Sequence, residues 1–229
     1  MIVLLRKESR VNEQRYIPAL AYRPLTVIYD PLVRLTTRET TFKSALLRQA
    51  CLLPDDRVLD LGCGSATLSI AAKQLQPRAG ITGLDGDPDI LRLARAKAVR
   101  AGVELRLDEA LSHRMPYPDA SFDCVLSSLF FHHLDRDHKH ATLREIHRVL
   151  RPGGRLHVAD WGKAANALMR VLFFGIQWLD GFDTTADNVA GRLPEFMRES
   201  GFKDVAETAR YATMFGSLSL YGASRADTA

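Results

Sequence analysis

From Arg57 onward, short apolar runs and helical segments take turns along the chain, and this alternation limits the fold more than any other feature. The runs fall at residues 58–61, 81–84, 103–107, 122–126 and 155–159, with helical spacing of apolar positions at 66–75, 87–101 and 137–150. Strands that recur after crossover helices pair in parallel through right-handed connections. The expected fold is therefore α/β, an open doubly wound sheet with helices on both faces. Strands covered on both faces read as continuously apolar, as these do. Asp87-Pro88 supplies an N-cap and a first-turn proline for the helix that follows.

The flanks differ. Residues 1–35 hold Pro18, Pro24 and Pro31 and little periodicity, which predicts an irregular N-terminal arm ahead of a single domain over 36–229. Thr36 and Glu39 have capping-box spacing and open a helix whose apolar stripe runs to Leu53, broken only by Gln49. Towards the end, helices are expected near 164–180 and 188–200. Two partly alternating stretches then meet at Met214 to Ser217, as in an antiparallel hairpin that closes the sheet.

The first 50 residues hold nine Lys/Arg against four Asp/Glu, while the rest is close to neutral, so no dense basic stripe marks a nucleic-acid partner. The longest apolar stretch, residues 167–179, is interrupted by Arg170 and Gln177 and is too short to span a bilayer. Cys51, Cys63 and Cys124 share no CxxC spacing, which disfavours a zinc ribbon and a secreted disulfide framework and fits a cytoplasmic protein.

The strongest chemical signal is Val58-Leu59-Asp60-Leu61-Gly62-Cys63-Gly64. A strand running into Gly-x-Gly at a helix start lets backbone approach a ligand closely. Asp85 ends the next run, 21 residues after Gly64, where a carboxylate can accept from both hydroxyls of a ribose. A dinucleotide fingerprint wants a further glycine where Thr67 stands, and Asp60 would repel a pyrophosphate. A cationic ligand fits the acid better, and S-adenosylmethionine carries both a sulfonium and an ammonium.

With Gly83-Leu84-Asp85, the stretch from Met115 to Asp123 and Arg148-Val149-Leu150-Arg151-Pro152-Gly153-Gly154, these residues follow the order of a known family. Over roughly residues 36–223 the chain resembles class I S-adenosylmethionine-dependent methyltransferases of the ubiquinone/menaquinone-biosynthesis type. The resemblance implies a Rossmann-like sheet of seven strands, mostly parallel, the last antiparallel. It also implies methionine-end contacts from Asp60, Gly62, Cys63 and Gly64, and ribose contacts from Asp85 and Gly86. Adenine contacts would come from Asp108 and Glu109, and Ser127 would lie beneath the sulfonium. In related enzymes an N-terminal arm folds over the cofactor, so Tyr22 or Tyr29 either closes the site or anchors the arm to the body. Ser65 stands where the family commonly has glycine.

On the acceptor side, adjacent His132 and His133 end the fourth run, where an imidazole could take a proton from the acceptor or simply cap and pack. Asp160 ends the fifth, as base-orienting acid or as N-cap of the next helix. Phe174 and Trp178 belong to the core or wall an apolar acceptor pocket. His138 and His140 extend a histidine-rich run, but no cysteine or carboxylate spacing completes a metal site. The function expected is methyl transfer to a small-molecule acceptor by in-line displacement. The rivals are a nicotinamide-dependent oxidoreductase, a non-catalytic nucleoside binder and, less favoured, an RNA-modifying enzyme.

Overall fold

A computed structural model describes residues 39–227. The boundary expected at residue 35, the Thr36 cap, Tyr22 and Tyr29 lie outside the described residues. In chain order the elements are α1 (Glu39–Ala50), β1 (Arg57–Leu61), α2 (Thr67–Leu75), β2 (Gly80–Asp85), α3 (Pro88–Ala101), β3 (Arg106–Glu109), β4 (Phe122–Ser128) and α4 (Arg136–Val149). β5 (Leu150–Trp161), α5 (Ala167–Leu172), α6 (Phe174–Asp180), α7 (Phe182–Ala190), α8 (Leu193–Glu199), β6 (Lys203–Thr213) and β7 (Gly216–Ser224) follow, and a single 3₁₀ turn, Phe131–His133, sits between β4 and α4.

The strands form one sheet in the order β3-β2-β1-β4-β5-β7-β6, with β1 to β5 parallel and β7 antiparallel to both of its neighbours. The expected seven strands and antiparallel closure are present. Strand order reverses between β1 and β4, so loops leaving these strands diverge and leave a crevice beyond their carboxyl ends. One face of the sheet is covered by α4 and α8, whose Leu143, Ile146, Phe196 and Met197 pack on Leu59, Val125 and Val158. On the other face Phe42 and Leu46 of α1 and Leu68 and Ala72 of α2 pack on Val58, Ile81, Cys124 and Leu126. Each of the Val, Leu, Ile, Phe and Met side chains among them contributes about 1.5–3 kcal/mol by leaving water.

The break in the α1 stripe has a structural cause. Gln49 points at the sheet, where its amide donates to His157 Nδ1 (2.9 Å) and to the Tyr221 carbonyl (3.0 Å), while its oxygen accepts from Thr208. His157 is buried, and desolvation followed by the charge of Arg155 pushes its pKa down to about 4. A depressed histidine stabilises the fold above its ordinary value of 6.5, and that contribution is lost as pH falls towards 4. His157→Leu is expected to flatten the stability profile over this window by about 3 kcal/mol, read from urea melts at stepped pH.

Three boundaries depart from the sequence reading. β3 begins at Arg106 rather than 103, because α3 exits through Gly102 and the Val103 N–H turns back to the Ala98 carbonyl. β5 begins at Leu150, which pairs with Phe122 before a register shift. The two helices expected between 164 and 200 are four. Phe173 separates α5 from α6, and α6 and α7 end at Gly181 and Gly191.

Candidate functional site

The crevice at the β1/β4 switch is lined by the loops that leave β1, β2, β4 and β5. The first of these runs through Gly62 and Gly64 at φ of +67° and +52°. A side chain at position 62 would be strained and would also strike the Phe130 ring. The loop is closed from within: the Gly62 and Cys63 N–H groups donate to the Leu84 carbonyl (2.8 and 3.1 Å), and Gly64 N–H donates to Asp85 Oδ2 (2.9 Å). All three amides are therefore committed. A pyrophosphate, which needs such donors, finds none of the three available.

What the loop presents instead is negative. Asp60 is fully buried, and desolvation raises its pKa to about 6 against the lowering effect of Ser69, whose hydroxyl donates to Oδ2 at 2.5 Å. Cys63 is buried, and its thiol is held protonated by burial and by the charges of Asp60 and Asp85. Asp85 is raised by desolvation against N–H groups from Gly64, Asp87 and Gly86, with the Asp87 bond measuring 3.0 Å. With three N–H groups on its two oxygens, Asp85 keeps acceptor capacity for one further hydroxyl. Asp85→Ala is expected to unpin residues 62–66 and weaken nucleoside binding at least tenfold, checked by calorimetry alongside hydrogen exchange of the loop.

Several residues here escape a sequence reading. Ser69 is one helical turn into α2, and Lys97 of α3 reaches across to Ser65 and Thr67 (3.1 and 2.6 Å). Thr67, where a dinucleotide fold has glycine, thus serves a tether between two helices. Asp108 and Glu109 lie at the end of β3, in register with Leu84 and Asp85. The Asp108 carboxylate already accepts from Tyr117 OH (3.0 Å) and Arg106 Nε (2.8 Å), whereas Glu109 is exposed beside Asp85. Ser127 is buried with its hydroxyl on the Leu61 carbonyl (3.0 Å), and it is the next residue, Ser128, whose buried Oγ has no partner.

At the β4 and β5 ends, His132, His133 and Asp160 come together. Asp160 Oδ2 accepts from the N–H groups of Phe130 (3.1 Å) and Phe131 (2.7 Å), and Oδ1 from His132 Nδ1 and from Trp161 N–H, both at 2.7 Å. Burial would raise its pKa, but the charge and hydrogen bond of His132 and the Trp161 N–H bring it below the ordinary carboxylate value. It does not cap α5, a role taken by Asn166, nor does a histidine cap α4, where Asp135 accepts from His138 N–H. The His132 and His133 rings lie 4.0 Å apart, and burial followed by the neighbouring charge of His132 pushes His133 down to about 3. Phe174 and Trp178 are 48% and 79% exposed and do not wall a buried pocket. His138 pairs with Asp135, and His140 packs on Phe196. Among the described residues no group of three or more His, Cys, Asp or Glu could hold a metal, and no helix is long and apolar enough to cross a membrane.

An acid-lined glycine loop at the switch point of a seven-stranded sheet with antiparallel closure defines a Rossmann-like, nucleoside-binding class of protein. Residues 58–154 match the family model described as a methyltransferase domain. Over 147 residues the chain is 35% identical to a demethylmenaquinone methyltransferase of Deinococcus radiodurans, covering 63% of this chain and 60% of that one. A demethylmenaquinone methyltransferase of Lactobacillus johnsonii is 32% identical over 176 residues, covering 67% of this chain and 70% of the other. The apo crystal structure of the S-adenosylmethionine-dependent methyltransferase SibL superposes with a TM-score of 0.63 at 26% identity, over 80% of this chain and 54% of that one. The chain belongs to the S-adenosylmethionine-dependent methyltransferase family. It spans about half the length of several curated relatives it matches.

Proposed function

We propose that this protein binds S-adenosylmethionine in the β1/β4 crevice and transfers its methyl group to a small, uncharged acceptor. The observation that carries the reading is the polarity around the glycine loop: its amides are used internally, while the buried Asp60 and the half-buried Asp85 stand at the ends of the two strands beside it. That arrangement rejects a pyrophosphate and suits a ligand with a cationic end and a sugar. When bound, S-adenosylmethionine supplies a methyl already activated on a sulfonium. Asp60, Gly62, Cys63 and Gly64 would hold the methionine end, Asp85 and Gly86 the ribose, and Glu109, with Asp108 behind it, the adenine edge. Ser128, next to the Ser127 position expected beneath the sulfonium, offers an unpartnered hydroxyl at the β4 end.

The protein's part in the reaction is then alignment in a site without water, where effective molarities of about 10⁵ M or more are available. His132 donates from Nδ1 to Asp160, which fixes the ring, and the neutral form of this imidazole would be the group that takes a proton from an acceptor. His133, neutral near pH 7, would share the acceptor wall. The relatives that carry the demethylmenaquinone methyltransferase name favour an apolar, ring-bearing acceptor. Three unpaired thiols, among the described residues, suit a reducing cytoplasm.

Calorimetry decides the cofactor: S-adenosylhomocysteine is expected to bind at micromolar concentration and NADH not at all. Binding of NADH alone would overturn the proposal. Incubation with methyl-tritiated cofactor and a cell extract should then label a small molecule. Label in RNA, or in nothing, would refute the acceptor assignment.

A further inference from the structure

The stripe that α1 turns to the sheet is apolar and fully buried at Phe42, Leu46 and Ala50, yet the same helix holds an ion pair largely out of water. Lys43 Nζ donates to Glu39 Oε1 at 2.5 Å, and the two side chains are only 16% and 10% exposed. A pair so withdrawn from water seldom adds stability over apolar residues of similar size, so holding α1 in place does not explain it. Its hydrogen bonding is also incomplete, because an ammonium has three N–H donors and Glu39 takes one.

The pair lies within reach of the acid at the glycine loop. Asp60 accepts from the Ser69 hydroxyl of α2, and the positive charge of Lys43 acts on it from α1, opposing its desolvation. Asp60 is in register with Leu126 of β4. Ser128, two residues further along that strand, projects to the same face, and its Oγ is buried without a partner. At the β1 and β4 ends, the face that α1 covers therefore gathers an acid, a cation with spare donors and an unpartnered hydroxyl. An α-amino acid head has the matching form. Its ammonium and carboxylate hang on one carbon, so a site that binds the ammonium must also meet the carboxylate. Asp60 answers the first, but with Asp85 it would repel the second unless a cation stood close by.

We propose that Lys43, through the N–H groups that Glu39 leaves, is the counter-ion of the carboxylate on the amino-acid end of S-adenosylmethionine. With Asp60 it makes the site select a zwitterionic head over a purely cationic one. The inference rests on the cofactor assignment above and adds to it a residue outside the glycine loop.

The test uses the full chain and two ligands that differ only in the carboxylate, S-adenosylhomocysteine and its decarboxylated analogue. Calorimetry is run at about pH 8, above the Asp60 pKa of about 6, so that the acid is ionised throughout. The wild-type protein is expected to bind S-adenosylhomocysteine about tenfold tighter or more, the effect of one charge-assisted bond. Lys43→Met should bring that ratio near one by weakening S-adenosylhomocysteine without weakening the analogue. Because this variant strands Glu39, the double variant Glu39→Gln/Lys43→Met repeats the measurement with neither charge present and should give the same ratio. Equal binding of the two ligands by the wild type, or an unchanged ratio in both variants, would overturn the inference. An equal loss for both ligands overturns it too, since Lys43 would then act only through the fold or the charge of Asp60. Failure of the wild type to bind either ligand is a different result, which sinks the cofactor assignment itself.

Discussion

Asp160→Asn is expected to destabilise the protein by about 3–5 kcal/mol, the range for breaking a buried, multiply bonded charge. Four donors converge on this carboxylate, two from the 3₁₀ turn, one from His132 and one from its own neighbour Trp161. An asparagine offers one acceptor oxygen for the four, and its amide would face donors rather than acceptors. For a domain of this size the melting temperature should fall by roughly 10 °C or more. His132→Ala removes one donor and leaves three, so its stability cost should be clearly smaller, while acceptor turnover falls by about 10²-fold or more if Nε2 receives a proton. Equal stability losses would show that the ring, not the carboxylate, holds the turn. The sign with pH follows from the depressed pKa of Asp160. Its stabilisation is complete above the ordinary carboxylate value of 3.8 and is lost as pH falls below that towards the native value. Acid melts of the wild type and Asp160→Asn should therefore converge only below about pH 4.

The sheet could be read in advance because it follows from local pattern. Parallel strands buried on both faces need continuous apolar runs, and crossovers of one hand leave few orders for them. Gly62, Gly64 and Asp85 were visible for a related reason, since backbone that must turn sharply beside a strand end restricts residue type at fixed spacing. The residues that complete the site were not visible. Ser69 and Lys97 act across contacts made by packing, and in sequence each is an ordinary polar residue of a helix. Asp160 was placed at the right strand end, but its partners lie 28 to 30 residues upstream as well as next door, so its role depended on how the turn folds back. The helices expected at 164–180 and 188–200 divide at Phe173 and at Gly191, and α7 begins ahead of the second, because mixed polarity there does not show where one helix ends and the next begins.

Asp60→Asn should separate stability from binding. The native carboxylate is fully buried, and its pKa near 6 stands above the ordinary 3.8. A raised carboxylate is penalised once ionised, so it contributes a cost that grows from pH 3.8 to 6 and stays constant above. The shift corresponds to about 3 kcal/mol, and the neutral amide, which still accepts from Ser69, removes it. The variant is therefore expected to be more stable than the wild type at pH 8 by up to about 3 kcal/mol, with the gain vanishing by pH 4. Cofactor affinity should move the other way and fall by on the order of 100-fold, because an ionised acid facing a sulfonium and an ammonium is lost. In the wild type the same coupling makes S-adenosylmethionine binding weaken as pH falls below about 6, by up to about tenfold per unit. Ser69→Ala removes the bond that lowers the Asp60 pKa, so it should move that midpoint upward. A variant that is stabilised yet binds normally would mean that the burial of Asp60 serves packing alone. A variant that is destabilised at every pH would mean that the charge is compensated by groups other than Ser69 and Lys43.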